Sequence, residues 1–388
     1  MWYFDTHGHP WYPAVAGIYL GITAAFLWTT AALIANGYSE EKQPGFWRAM
    51  QWTSNVGGAT EGGCIALGIN WNAHSLGVPH SVYITFIIIQ YASMALAFIL
   101  VDADKLRRND GTAIAKYEHL SAWQDVYQTV ALLKDPVMLL LIPTFFAPEI
   151  FFPFMASVNA YAFNLRTRTL NAMLGNAIQI PWTLGYGWLL DNPKLGSRRK
   201  RAIIGIGILA TYITGTYIAL TIWLHSWSFD RSLAGPEIDI EDDAYPGAVV
   251  LYFLMVIQYG VFQNTVIYVF GCLTNRLEKT ARISGLFIAW ISAGTCVSFA
   301  TDATAQPYSN EGAAIFALTT ICWPILWFVV KNYTTATQYY KEENVVVPIH
   351  VRKEMGYLED ANGEELSFTN TKTKDPKTAD HSGETVKH

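Results

Sequence analysis

Charge is scarce in this 388-residue chain: Asp, Glu, Lys and Arg make up only 15% of it, against roughly 25% in an ordinary soluble domain. That shortage excludes a soluble globular protein, and a net charge of −5 gives no basic surface for nucleic acid. Four cysteines, all inside apolar runs, exclude a disulfide scaffold and read as small buried side chains. There is no nucleophile motif, Gly-rich phosphate loop or Cys/His ligand spacing, so no enzyme, metal site or cofactor is expected. Residues 1–13 lack a basic n-region and a cleavage site, which excludes a cleaved signal peptide in the first apolar run.

What the chain has instead is hydrophobic residues, 52% of the total, with 14 Trp, 21 Tyr and 20 Phe. These fall into nine runs long enough to cross a hydrocarbon core: 14–36, 46–69, 81–102, 136–158, 169–190, 202–224, 247–273, 283–301 and 311–330. The runs are continuously apolar, which argues for helices and against a barrel. The expected fold is therefore all-α, a polytopic protein whose first partner is the lipid bilayer. Counting loops alternately, all of the 26 Lys and Arg residues except Arg166, Arg168 and Arg231 fall on one side. That side is the cytoplasmic one, with the N-terminus outside or lumenal and the C-terminus inside, in the plasma membrane or an endomembrane.

The third and fourth runs are separated by a polar stretch. This divides the chain into a three-span bundle (1–102), a cytoplasmic central loop (103–135), a six-span bundle (136–331) and a polar, disordered tail (332–388). Gly187-Trp-Leu-Leu-Asp191, followed by Gly196-Ser-Arg198-Arg199, lies in the short turn between the fifth and sixth spans. It resembles the signature loop of the major facilitator superfamily, in which Gly allows close packing, Asp caps a neighbouring helix and basic residues latch a cytoplasmic gate. Three further blocks are Gly45-Phe-Trp-Arg48 with Ser54-Asn55-Val-Gly57-Gly58, then Ser157-Val-Asn159 through Asn164 to Asn171, and Gly271-Cys-Leu-Thr274-Asn275 with Ala281-Arg282. Together they resemble the fungal uncoordinated-93-like branch of that superfamily, also called ion channel regulatory proteins. The resemblance implies a major facilitator fold of twelve helices, of which this chain would begin at the fourth. It also implies a transporter, or an accessory protein that binds or traffics another membrane protein.

Ionisable groups inside spans are the natural candidates for a substrate or proton pathway. Glu149 lies mid-span between Pro143, Pro148 and Pro153, which should loosen the helix and free carbonyls. Its alternative role is to brace the bent helix. Glu61, among small residues that allow close helix approach, either lines a cavity or sits in a packing seam. Asn55, Asn159, Gln179, Gln263 and Asn264 supply neutral hydrogen-bonding groups. The substrate, a small molecule or ion, is not specified by these residues.

Overall fold

The computed structural model describes residues 2–70, 80–102, 105–114, 121–227, 229–335, 337–342, 345–354, 358–359 and 365–366. It is built from helices. After a short α1 (Trp2–His7) come α2 (Trp11–Gly37), α3 (Pro44–Asn70) and α4 (His80–Ala97), then α5 (Ala122–Ala131) and the broken pair α6 (Pro136–Phe146) and α7 (Phe151–Ala162). The bundle continues with α8 (Leu165–Asp191), α9 (Arg198–Ser226), α10 (Tyr245–Gly271), α11 (Leu277–Ala303) and α12 (Tyr308–Tyr333), and α13 (Ile349–Glu354) follows in the tail. Two-residue strands at Leu358–Glu359 and Glu365–Leu366 pair with each other. Each of the nine expected runs coincides with one long helix, or with the broken pair, and the chain is an all-α polytopic membrane protein.

Seven of these segments are both long and apolar enough to cross a membrane, counting α6 and α7 as one. The two that fall short, α3 and α8, are as long as the others but carry more Asn, Gln, Thr and Gly. Those residues meet each other. The two helices run antiparallel in a close seam: Gly45 faces Gly187, the Trp52 indole N–H donates to Gln179 Oε1 at 3.1 Å, and Gly63 lies against Met173. Small residues bring the backbones together and side-chain amides find partners across the seam, as expected where lipid supplies no hydrogen bonds. The seam joins the N-terminal spans to the rest of the chain, and α2 adds a second contact by packing on α11 through Gly37 and Leu277.

The core lies among α6 to α12. Phe145, Phe154, Phe262, Phe270 and Phe287 are fully buried there, and edge-to-face contacts such as Phe145 with Phe287, centroids 5.5 Å apart, fix their geometry. Helix α10 is central, with 61% of its apolar window buried, whereas the corresponding windows of α2 and α4 bury only 6%. Of the four cysteines, Cys272 and Cys322 are buried as expected, but Cys64 and Cys296 are exposed on the helix surface. A thiol is apolar enough to face lipid as readily as a core.

At one end of the bundle the loops are basic. Helix α5, within a stretch expected to be only a loop, starts with a capping box in which the Ser121 and Gln124 side chains each bond the other's backbone N–H. Its Asp125 accepts from Arg282 of α11 at 3.2 Å. The expectation of a disordered tail from 332 does not hold for its first part. Gln338 N donates to Glu41 Oε1 at 2.8 Å, and Glu342 accepts from the Thr274 hydroxyl and the Asn275 N–H at 2.8 and 2.7 Å. The Thr/Lys-rich part of the tail lies outside the described residues.

The opposite end is acidic. Arg166 Nη2 donates to Asp239 at 2.6 Å, and Thr167 Oγ1 to the same carboxylate at 2.9 Å, which ties the 229–244 loop over α8. Partial burial opposes ionisation of Asp239, but these bonds and the Ile240 N–H outweigh it and hold its carboxyl well below the usual range. Arg231 reaches Asp302 at 2.7 Å and Glu311 at 2.6 Å while stacking over Tyr308, which joins the loop to α11 and α12.

Candidate functional site

The three prolines around Glu149 do more than loosen the span. Helix α6 ends at Phe146 and α7 starts at Phe151, so Glu149 stands in a four-residue gap. Pro148 has no N–H for the carbonyl of Thr144, and Pro153 has none for that of Glu149. Helix α11 covers the break. Gly294 approaches so closely that a Cβ there would sit 2.1 Å from the Phe146 carbonyl, and the Ser298 hydroxyl donates to the Ile150 carbonyl. No side chain larger than hydrogen fits at 294, which is what lets α11 follow the broken backbone.

The Glu149 carboxylate is half-buried and collects three contacts from two other helices. Gln263 Nε2 and the Tyr259 hydroxyl of α10 donate to Oε1 at 2.8 and 3.2 Å, and the Thr295 hydroxyl of α11 reaches Oε2 at 3.1 Å. The Thr295 hydroxyl is also 2.9 Å from the carbonyl of Ile291. It has one hydrogen for two acceptors, so it can donate to an ionised Glu149 or turn to Ile291 and accept from a protonated one. The cluster therefore satisfies both protonation states without moving a helix. Trp52 packs edge-on against Tyr259, centroids 4.7 Å apart, and its N–H is bonded to Gln179. Gly260 makes room for the indole, since a Cβ there would lie 2.4 Å from Trp52 Nε1. The carboxylate is thus connected through two aromatic rings to the α3–α8 seam.

The remaining candidates separate by environment. Asn264, one turn beyond Gly260 on α10, is buried with neither amide atom partnered among the described residues, and the Thr183 hydroxyl, which lies beside Gly260, is in the same condition. Buried polar atoms left open in this way call for a ligand, a water or a second conformation. Asn159 lies elsewhere: its Oδ1 accepts from Asn171 at 3.3 Å and its Nδ2 donates to the Arg168 carbonyl at 3.2 Å, fastening α7 to α8 near the acidic end. Asn55 and Glu61 are exposed on α3 and are not brought to Glu149. Their polarity is plain in the sequence, but the face they occupy is not. Tyr259, Thr295 and Trp52 carry no local signal in the sequence; the first two stand out only because they meet Glu149.

At the basic end, the residues of the signature loop come together. Gly45 and Gly187 touch backbone to backbone: a Cβ on Gly187 would lie 2.6 Å from the Gly45 carbonyl. Asp191 at the end of α8 accepts from the N–H groups of Gly45 and Phe46 at 3.0 and 2.6 Å. It thereby caps α3 from a different helix and adds a negative charge at its N-terminus. Gly196 follows with φ +101°, a conformation that leaves room for Ser197 to cap α9. Arg198 is buried, donating to the Gly271 carbonyl at 2.6 Å, with Nη1 at 3.0 Å from Glu41. Arg199 is exposed, while Arg201 is the second buried arginine of the run. Helical spacing explains this, because residues three apart share a face and 199 points away.

Among the described residues, the tail also completes a ligand-type cluster that no local sequence spacing reveals. Glu40, Asp110 and His350 place donor atoms within 4.8 Å of one another. His350 Nδ1 donates to Asp110 at 3.0 Å, and its Nε2 is 3.5 Å from Glu40. Despite partial burial, the Thr112 and His350 bonds hold the Asp110 carboxyl well below the usual range. These contacts account for the cluster as the seat of the ordered tail.

No family model matches the chain. It is 36% identical over 317 residues to an uncharacterized membrane protein of Schizosaccharomyces pombe, a match covering 81% of this chain but 65% of the relative, just under two thirds of its length. UNC93-like proteins 1 and 2 of Arabidopsis thaliana are each 28% identical over 339 residues, 85% of this chain and 73% of theirs. An UNC93-like protein of Schizosaccharomyces pombe is 26% identical over 332 residues, 82% of this chain and 64% of its own. Four-fifths or more of the chain aligns in each case, and on its bundle of long apolar helices the protein is similar to UNC93-like membrane proteins over most of its length.

Proposed function

We propose that this protein is a secondary transporter of the major facilitator kind, in which Glu149 binds a proton or cation. The observation that carries this reading is the Glu149 carboxylate in a helix break, met by Tyr259, Gln263 and Thr295 from two other helices. Broken helices with an ionisable group at the gap are what such transporters use, because freed backbone and side-chain dipoles can hold an ion that hydrocarbon cannot. The open amide of Asn264, next to Gln263 on α10, and the Thr183 hydroxyl are the further polar groups offered to a small solute. No nucleotide motif is present, so an ion gradient is the energy source. The bundles 1–102 and 136–331 are the two bodies that rock, and the α3–α8 contact, clamped by Asp191 and Gly187, holds the basic, cytoplasmic side closed.

The test is uptake by reconstituted protein from a panel of labelled solutes under an imposed proton gradient. The parent protein is expected to take up at least one solute in a pH-dependent way, and Glu149→Gln to lose that dependence. Uptake with unchanged pH dependence in the variant defeats the role of Glu149. A second reading is favoured by a different observation: α2 and α4 bury little of their surface, and Asn55 and Glu61 of α3 are exposed. On this reading the protein is an accessory subunit that binds another membrane protein. Affinity capture in mild detergent should then recover a stoichiometric membrane partner that is lost on Glu61→Leu.

A further inference from the structure

A small cavity lies at the basic end, between the α2–α3 connection, α9, α10 and the ordered tail, with Asn36, Glu40, Glu41, Arg48, Arg108 and Arg198 among its walls. Its polar lining is unbalanced. Arg48 is only 6% exposed; its Nη1 is bonded to the neutral Gln51, and its Nε has no partner. Arg108 Nε and Nη1 and Asn36 Nδ2 are likewise buried without a partner among the described residues. The two carboxylates in the walls are engaged elsewhere: Glu41 pairs with Arg198 and accepts from Asn275 and Gln338, and Glu40 lies 3.5 Å from His350. Two guanidinium groups thus face one cavity with no carboxylate in ion-pair distance among the described residues, and a buried unpaired charge costs several kcal/mol.

Every open group named here is a donor. The missing partner must therefore be an acceptor, and guanidinium forks select planar or tetrahedral oxyanions. We infer that this cavity is a binding site for a phosphate group, held by Arg48 and Arg108 with Asn36 at its side. Tyr339, Val345 and Val346 of the tail wall the cavity, so a bound phosphate also fastens the tail to the bundle. The phosphate belongs either to free inorganic phosphate or to the headgroup of a membrane lipid at the same depth. The inference is independent of transport through the Glu149 site.

The test is the thermal midpoint of the full-length protein in detergent. It is measured with sodium phosphate, with sodium chloride at equal ionic strength, and with a short-chain phosphatidylinositol phosphate against phosphatidylcholine. A rise of roughly 2–4 °C over the matched control is expected in the phosphate-bearing arm that fits. A response to inorganic phosphate identifies a free anion, and a response to the lipid alone identifies a headgroup. Arg108→Gln should abolish the rise. Arg48→Gln should also abolish it while leaving the ligand-free midpoint unchanged or higher, because it removes an uncompensated buried charge; a merely structural arginine would lower it. If neither phosphate source raises the midpoint beyond its control, or if both variants keep the full rise, the site does not exist.

Discussion

Glu149 and Asn159 are both polar residues in one apolar stretch, and their surroundings give them different work. The Asn159 amide is spent on Asn171 and the Arg168 backbone, whereas Glu149 keeps a hydroxyl partner that can reverse its bond. Asn159→Ala should therefore cost about 1 kcal/mol of stability, seen as a lower thermal midpoint, and leave the pH midpoint of any proton-linked activity in place. Thr295→Val should do the reverse, shifting the pH midpoint with little change in stability. If both variants move the same quantity, the distinction between the two sites fails. A sequence shows which residues are polar but not which way they face. That is why Glu149, flanked by three prolines, was legible as special while Asn55 and Glu61 were not legible as exposed. Tyr259 and Thr295 are 110 and 146 positions from Glu149, beyond the reach of any local pattern.

Among the elements, the α3–α8 seam is where the N-terminal spans meet the rest of the chain backbone to backbone. A methyl group on Gly187 would lie 2.6 Å from the Gly45 carbonyl and 2.8 Å from the Ala49 Cβ, whereas one on Gly185 meets nothing within 4 Å. Gly187→Ala is expected to destabilise the protein by about 1–3 kcal/mol and Gly185→Ala to be neutral, as read by thermal midpoint. Equal midpoints would mean that the seam does not depend on this contact. The seam was half legible: the Gly and Asp of the loop stand out in sequence, but Trp52 and Gln179 do not announce that they meet. Helix α5 shows the opposite failure, since an amphipathic helix in a charged stretch is outlined only by its Ser121 and Gln124 caps. At the acidic end, the depressed Asp239 carboxyl contributes stability that is present above the unfolded value of about 3.9 and lost as pH falls through the lower folded value. Amide exchange in the 229–244 loop, corrected for intrinsic rates, should therefore be flat between pH 7 and 5. Asp239→Asn should raise it at pH 7.

For the whole molecule, the placement of basic residues implies a direction in the membrane as well as a count of spans. Single cysteines placed at Lys194 and Ser232, after Cys64 and Cys296 are replaced, should label with an impermeant maleimide from opposite sides of sealed vesicles. Labelling from the same side would overturn the topology. Seven of the nine runs were legible because a span needs only length and apolarity, whereas α3 and α8 have the length but owe their place to the polar seam between them. The close approach of α2 to α11 and of α3 to α8 was not legible, because it depends on small residues far apart in the chain. The proposed transport depends on Glu149 exchanging a proton or cation, and this exchange can be measured without knowing a substrate. Proteoliposomes on a solid-supported membrane should show a charge displacement on a pH or cation jump that is abolished by Glu149→Gln and kept by Asn159→Ala. An equal displacement in the Glu149→Gln protein, or none in the parent, would contradict the account.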